Sequence, residues 1–326
     1  MMMPSEKTGA VHSASAIARA FRFGVWLRSL ESASACAEVA RRAERLGYST
    51  LFVGEHLDTG YGPFTMASAI ASATSLLRVG TLMLLNDLRH PAVLAKEAAA
   101  LDVLSGGRLE LGVGAGWKDG DYTAIGLRMP KGAVRVQQLR ESITVLKGLF
   151  ADGPFSFSGA HYTIRNLEGL PKPKQRPHPP IIVGGASRAI MGLAGAEASI
   201  AGINPALRTG PLAADAVSMK AAEASVGHLI DSAGERMAHI EVNLFPLKVV
   251  VTPHSREAVA KVARDYLLDE ETVVDSPFFL IGSAQAIEER LRMLREKLLV
   301  SYVVVREEAM MDFAEVVERL AGATDE

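Results

Sequence analysis

The chain has 326 residues, 48% of them apolar and 22% charged, with 35 Lys and Arg against 37 Asp and Glu for a formal net charge of −2. That balance excludes disorder, collagen and coiled coil, and it offers no basic excess for neutralising the phosphates of a nucleic acid. The length suits two ordinary domains or one large α/β barrel, and a single cysteine, Cys36, leaves neither an intramolecular disulfide nor a cysteine-rich zinc site.

Residues 1–20 lack a continuous apolar segment of signal-peptide length and are expected to be a loose leader ahead of a single domain over 21–322. No stretch approaches the roughly 20 apolar residues that span a bilayer, so a cytoplasmic protein without a membrane partner is expected. From residue 21 the pattern alternates between short apolar strands and helical periodicity. Strands are expected at 21–28, 50–54, 78–85 and 108–114, with helices at 32–46, 63–73 and 91–104 between them and another at 135–150. The rhythm then breaks. Residues 153–164 read as a β-hairpin and 171–180 as a proline-rich excursion, so that 153–180 forms an insertion before the fifth strand. Strands at 181–184, 199–203, 241–251 and 301–305 follow, with helices at 187–196, 213–233, 255–268, 284–298 and 310–320. Eight strands, each almost continuously apolar, imply parallel strands covered on both faces. A closed (β/α)8 TIM barrel carrying an inserted hairpin is the economical architecture, and an open doubly wound sheet is the alternative.

In such a barrel the reactive groups lie just beyond the carboxyl ends of the strands. Glu55 and His56 follow the second strand, and an imidazole beside a carboxylate can take up or release a proton near neutral pH. The bland reading is that the two residues only cap a loop. His90, His161 and His178 lie beside prolines or in the insertion and are expected to be loop histidines. After the fourth strand come Gly112, Gly114, Ala115, Gly116 and Trp117. The spacing fails the dinucleotide-binding pattern G-x-G-x-x-G, and the following WKDGDY opens no clear helix in the sequence. What remains is close approach of a flat ring or polyol chain to bare backbone, against tight packing at a barrel rim as the competing reading. After the fifth strand, Gly184, Gly185, Ala186, Ser187 and Arg188 run directly into a helix. Bare amides at a helix start suit a phosphate, and Ser187 equally suits an N-cap. P-loop, H-E-x-x-H and G-x-S-x-G patterns are absent, and no metal site is expected.

The Glu55-His56 pair, the block at 79–117 with RHPAVLAKE and LDVLSGGRLELGVGAGW, and PPIIVGGASR at 179–188 together resemble the bacterial luciferase-like superfamily, and within it the branch using the deazaflavin coenzyme F420. The resemblance runs from about residue 21 to 306. It implies a ring seated over the barrel mouth against a bulge with a non-prolyl cis peptide near Leu82 and Met83. It further implies a cofactor phosphate at Gly184, Gly185, Ala186 and Ser187, and Gly114, Ala115 and Gly116 along the ribityl chain. On this resemblance His56 donates or accepts a proton, with Glu55 orienting it or tuning its basicity, while hydride passes between coenzyme F420 and a small organic substrate. Two departures matter: Trp117 stands where sugar-phosphate dehydrogenases of the family carry a catalytic Glu, and Glu55 stands where an Asp is common. An FMN-dependent monooxygenase on the same barrel and a non-catalytic flavin-binding barrel are the alternatives. A homodimer is expected because relatives commonly dimerise.

Overall fold

The computed structural model describes residues 19–28, 32–58, 60–206 and 211–323. Except for Arg19 and Ala20, the expected leader lies outside the described residues. The first half runs β1 (Arg22–Leu27), α1 (Ala33–Arg45), β2 (Thr50–Val53), α2 (Pro63–Ala73), β3 (Arg78–Thr81), β4 (Leu84–Leu85), α3 (Pro91–Leu104), β5 (Leu109–Gly114), α4 (Asp119–Ala124) and α5 (Gly132–Phe150). Prolines stand at the first position of α2 and α3, where a missing N–H costs nothing, and Ser32 caps α1 by accepting from the Ala35 amide at 3.2 Å. The insertion is the antiparallel hairpin β6 (Pro154–Ser158) and β7 (Thr163–Glu168).

The second half continues with β8 (Ile181–Gly185), α6 (Arg188–Glu197), β9 (Ile200–Ile203), α7 (Met219–Ala233), β10 (Glu241–Leu244), β11 (Lys248–Val251), α8 (Ser255–Tyr266), α9 (Glu270–Asp275), β12 (Phe279–Gly282), α10 (Ala284–Leu298), β13 (Val300–Arg306) and α11 (Ala314–Leu320). Eight strands pair in parallel around a ring: β3, β2, β1, β13, β10, β9, β8 and β5, with β3 bonded back to β5. The sheet is therefore closed, and the open doubly wound alternative falls.

Four expectations need correction. The strand expected over 78–85 is broken between β3 and β4, with a cis Leu82–Met83 peptide at the break. The strand expected over 241–251 is two, because Pro246 has no N–H to continue the ladder; β10 stays in the barrel and β11 pairs outside it with β12, a strand the sequence reading omitted. The helix expected from 213 begins at Met219, where Ser218 caps it through the Ala221 amide at 3.2 Å. The WKDGDY stretch does open a helix, α4, despite its glycine.

Strand alternation sorts the side chains into two cores. Outward residues such as Phe23, Val25, Leu51, Val79, Leu111, Val183 and Val303 pack beneath the helices. Inward residues form a separate cluster of Phe52, Ile182, Ile200, Tyr302 and Val304, with Trp26, Leu82 and Phe245 laid over it. Burying each large apolar side chain contributes about 1.5–3 kcal/mol. Room for Phe52 comes from Gly80, where a Cβ would stand 2.5 Å from the ring.

Candidate active site at the barrel mouth

The bulge between β3 and β4 is held by its neighbours. A Cβ on Gly112 would fall 2.0 Å from the Thr81 carbonyl oxygen, so only glycine lets β5 pass this close. The Thr81 hydroxyl donates to the Gly112 carbonyl and accepts from the Gly112 amide, both at 2.9 Å. From β1, the Trp26 indole Nε1 donates to the Leu82 carbonyl at 2.8 Å. The bulge thus presents Leu82 and Met83 at the rim in the place expected for a ring platform, and Met83 packs along Gly112 and Gly114.

His56 stands just past β2, and its partner is Asp121 on α4. The His56 Nδ1 lies 2.8 Å from the Asp121 carboxylate, which is 1% exposed and also accepts from the Leu57 amide at 3.4 Å. Because the ionised carboxylate only accepts, Nδ1 donates and Nε2 is the nitrogen left free for a ligand. Trp117 meets the imidazole edge-on, with ring centroids 6.0 Å apart. Lys118 ties the same two loops together, 2.5 Å from Asp58 and 3.8 Å from Asp121. α4 is further anchored where the Tyr122 hydroxyl donates to Asp87 at 3.0 Å. Burial and the Asp87 charge push the Tyr122 phenol well above its ordinary value, so it stays protonated as that donor.

Glu55 has a different task from the one expected. Its carboxylate pairs with the Arg89 guanidinium and accepts from the Leu85 amide at 2.7 Å. It therefore fixes the backbone after the bulge, and the expectation that it orients His56 is corrected: Asp121 does so. Among the other histidines, His90 accepts from the Ala92 amide at 3.2 Å, consistent with the helix-start loop expected for it.

The two glycine runs stand at the ends of β5 and β8. Gly114 ends β5, and Gly116 takes a φ of +77° with a Cβ position 2.6 Å from the Tyr122 hydroxyl, so the turn admits no side chain. After β8, a Cβ on Gly184 would stand 2.7 Å from the Gly202 carbonyl oxygen. Ser187 caps α6, accepting from the Ile190 amide at 3.3 Å, while the amides of Ala186 and Ser187 find no acceptor among the described residues. Ser187 and Arg188 are exposed. Among the described residues, the amides without an acceptor, the helix start and a guanidinium without an ion-pair partner make a donor set that suits an anion.

An open cavity of about 460 Å³ lies at the opposite end of the strands, lined by Arg19, Arg22, Arg78, Glu110, Gln175 and Glu241 among others. Its inward charges are already spent on each other. Arg22 reaches Glu241 at 2.5 Å and Glu110 at 2.6 Å, and Arg78 reaches Glu110 at 2.7 Å. At the mouth, by contrast, His56 Nε2 and the amides of Ala186 and Ser187 have no partner among the described residues.

A family model described as luciferase-like monooxygenase matches residues 14–323. The chain belongs to that family. Among curated relatives, the FMNH2-dependent dimethylsulfone monooxygenase of Pseudomonas putida is 35% identical over 48% of this chain and 45% of its own length. The F420-dependent glucose-6-phosphate dehydrogenase of Microbacterium testaceum is 33% identical over 47% of each chain. The chain thus spans about half the length of the curated relatives it matches. The coenzyme F420-dependent tetrahydromethanopterin reductase of Methanopyrus kandleri superposes with a TM-score of 0.75 at 18% identity, covering 93% of this chain and 100% of that one, which is agreement in fold. Among the described residues no helix is long and apolar enough to cross a membrane.

Within this luciferase-like barrel, the sequence reading missed Asp121, Arg89 and Lys118. Each acts across a loop rather than along the chain. The available signal was α4 itself: an Asp two residues after its start, immediately beyond the β5 glycines, is placed to face the β2 loop.

Proposed function

We propose that this barrel binds coenzyme F420 at its mouth and transfers a hydride between that coenzyme and a small organic substrate. The residues present fit the group. Leu82 and Met83 form an apolar platform, Gly114 and Gly116 leave the β5 rim bare, and the amides of Ala186 and Ser187 with Arg188 offer an anion seat. When bound, the deazaflavin supplies the hydride chemistry. The observation that carries the proposal is the His56–Asp121 pair at 2.8 Å beside the bulge. Hydride transfer to a carbonyl, or from an alcohol, needs one proton moved in step. His56 Nε2 is free to take or give it, because Asp121 holds Nδ1 and fixes the ring. Trp117 meets the imidazole edge-on from the β5 side and Tyr122 anchors the helix that carries Asp121.

The FMN-dependent monooxygenase remains the second reading, since a relative of that activity shares 35% identity over the aligned half. Separate titrations of the purified protein with reduced deazaflavin and reduced FMN decide between them. Tight FMN binding with none for the deazaflavin overturns the proposal. His56→Ala with unchanged turnover overturns the proton role and favours a different proton donor, whereas a parent chain that binds the cofactor but turns over no substrate favours a barrel that binds flavin without catalysis. We also propose that the protein works as a homodimer in the cytoplasm, which light scattering on the purified chain and fractionation of cells test.

A further inference from the structure

We propose that Arg306 is the anchor for an oxyanion on the substrate, so that this barrel takes small carboxylates or sulfonates with a flat apolar body. The inference rests on the cofactor reading above for where the substrate lies. Arg306 is the last residue of β13, and alternation from Tyr302 and Val304 turns it inward at the mouth. Its guanidinium carbon lies 5.3 Å from the Trp26 ring centre and 4.9 Å from that of Phe245, and the two rings are 5.8 Å apart. It has no carboxylate partner among the described residues, whereas the inward guanidinia at the other end of the barrel, Arg22 and Arg78, are both paired with Glu110. The adjacent Glu307 lies near Cys36 of α1, outside the barrel, and forms no ion pair with Arg306 among the described residues.

Position in the ring supplies the rest of the argument. In the order β3, β2, β1, β13, β10, β9, β8, β5, the strand β13 lies directly across from β5. The bulge, the β5 glycines and the β8 amides occupy one arc, and a cofactor spread along them leaves the β10–β13–β1 arc for the substrate. That arc offers two aromatic faces and a half-buried positive charge resting on them. The aromatic pair desolvates an apolar body, and the planar guanidinium offers a two-pronged donor to an oxyanion. His56, just past β2, stands between the two arcs.

The test uses the full chain carrying Trp117→Phe, which leaves Trp26 as its only tryptophan, and follows Trp26 fluorescence. Benzoate, benzenesulfonate and the neutral isostere benzamide are titrated in turn. At least one of the two anions is expected to bind about tenfold or more tightly than benzamide, a charge-assisted contact being roughly twice as strong as a neutral one. Arg306→Met should abolish that preference, and Arg306→Lys should keep part of it. Thermal melting confirms the fold of each variant, with Arg306→Gln replacing any that fails. Equal binding of all three probes by the parent, or a preference that survives in Arg306→Met, overturns the proposal. The variants are also titrated with the deazaflavin and FMN. A tenfold loss of cofactor affinity without a change in anion preference assigns Arg306 to the cofactor and overturns the substrate role. If the parent binds neither cofactor, the redox reading fails while the anion preference is still measured on its own.

Discussion

At the amino-terminal end of the strands, Glu110 is 1% exposed and receives three donors: Arg22 at 2.6 Å, Arg78 at 2.7 Å and the Tyr302 hydroxyl at 3.1 Å. At the carboxyl-terminal end the charges are less completely matched: among the described residues, His56 keeps one ring nitrogen free, the guanidinium of Arg306 rests on aromatic faces without a carboxylate, and two amides before α6 find no acceptor. The floor closes the barrel with a network whose members satisfy one another. The mouth holds polar groups in place through their neighbours yet leaves an atom of each for something else. The mouth groups are half-buried or exposed, so water serves them in the free chain, and a ligand that replaces that water gains their hydrogen bonds.

Glu110→Ala should separate the two ends most sharply. Among the described residues it leaves Arg78 without a carboxylate, Arg22 with Glu241 alone and the Tyr302 hydroxyl without that acceptor, and removing one member of a buried ion network costs about 3–5 kcal/mol. Urea unfolding measures this, and a loss below about 1 kcal/mol would show that the floor network is not holding the barrel. The pH dependence has a definite sign. Burial alone would raise the Glu110 carboxyl, but Arg22 and Arg78 prevail and hold it below the ordinary range. A folded pKa below the unfolded value of about 4.3 gives a stabilisation that is present above that pH. It is lost as pH falls through the depressed folded pKa. Glu110→Gln should flatten that acid limb.

The matching change at the mouth is Asp121→Asn, with the opposite profile. The amide keeps the size of the side chain, so stability should change by about 1 kcal/mol or less. Turnover should drop about 10- to 100-fold, because the imidazole loses the carboxylate that fixes its Nδ1 proton. The split between kcat and KM and an altered pH profile of turnover distinguish this from a packing defect, and Asp121→Glu should recover part of the rate. A stability loss as large as that of Glu110→Ala, with unchanged turnover, would make Asp121 a structural residue like those of the floor.

The fold class was legible because parallel strands covered on both faces are almost continuously apolar, as in IIVG and SYVVV, and the count of eight favoured closure over an open sheet. The two glycine loops were legible for a similar reason: bare backbone at a strand end needs glycine whatever the partner. Pairings made by tertiary contact were not. His56 and Asp121 are 65 residues apart, and the short α4 contains a glycine that weakens its helical signal. The floor network left a trace that went unread, a charged residue near the start of four otherwise apolar strands: Arg22, Arg78, Glu110 and Glu241. The strand β12 was passed over because eight strands had already been counted, one of them a run that Pro246 divides.

The smallest expected effect tests whether the loop before α6 belongs with the mouth or is only a helix start. The Ser187 hydroxyl accepts from the Ile190 amide at 3.3 Å, and replacing such a cap by Ala costs about 1 kcal/mol, whereas Gly costs a few tenths. Ser187→Gly therefore removes the hydroxyl with little loss of stability. Riboflavin and FMN share the ring and ribityl chain and differ by the phosphate, so the ratio of their affinities isolates the anion seat. If Ser187 donates to the phosphate, Ser187→Gly lowers that ratio about three- to tenfold, in line with a net hydrogen bond of about 0.5–1.5 kcal/mol. It leaves riboflavin binding and the melting temperature nearly unchanged. An unaltered ratio in both Ser187→Gly and Ser187→Ala, with only the Ala variant less stable, would reduce Ser187 to a helix cap and leave the phosphate to the bare amides and Arg188.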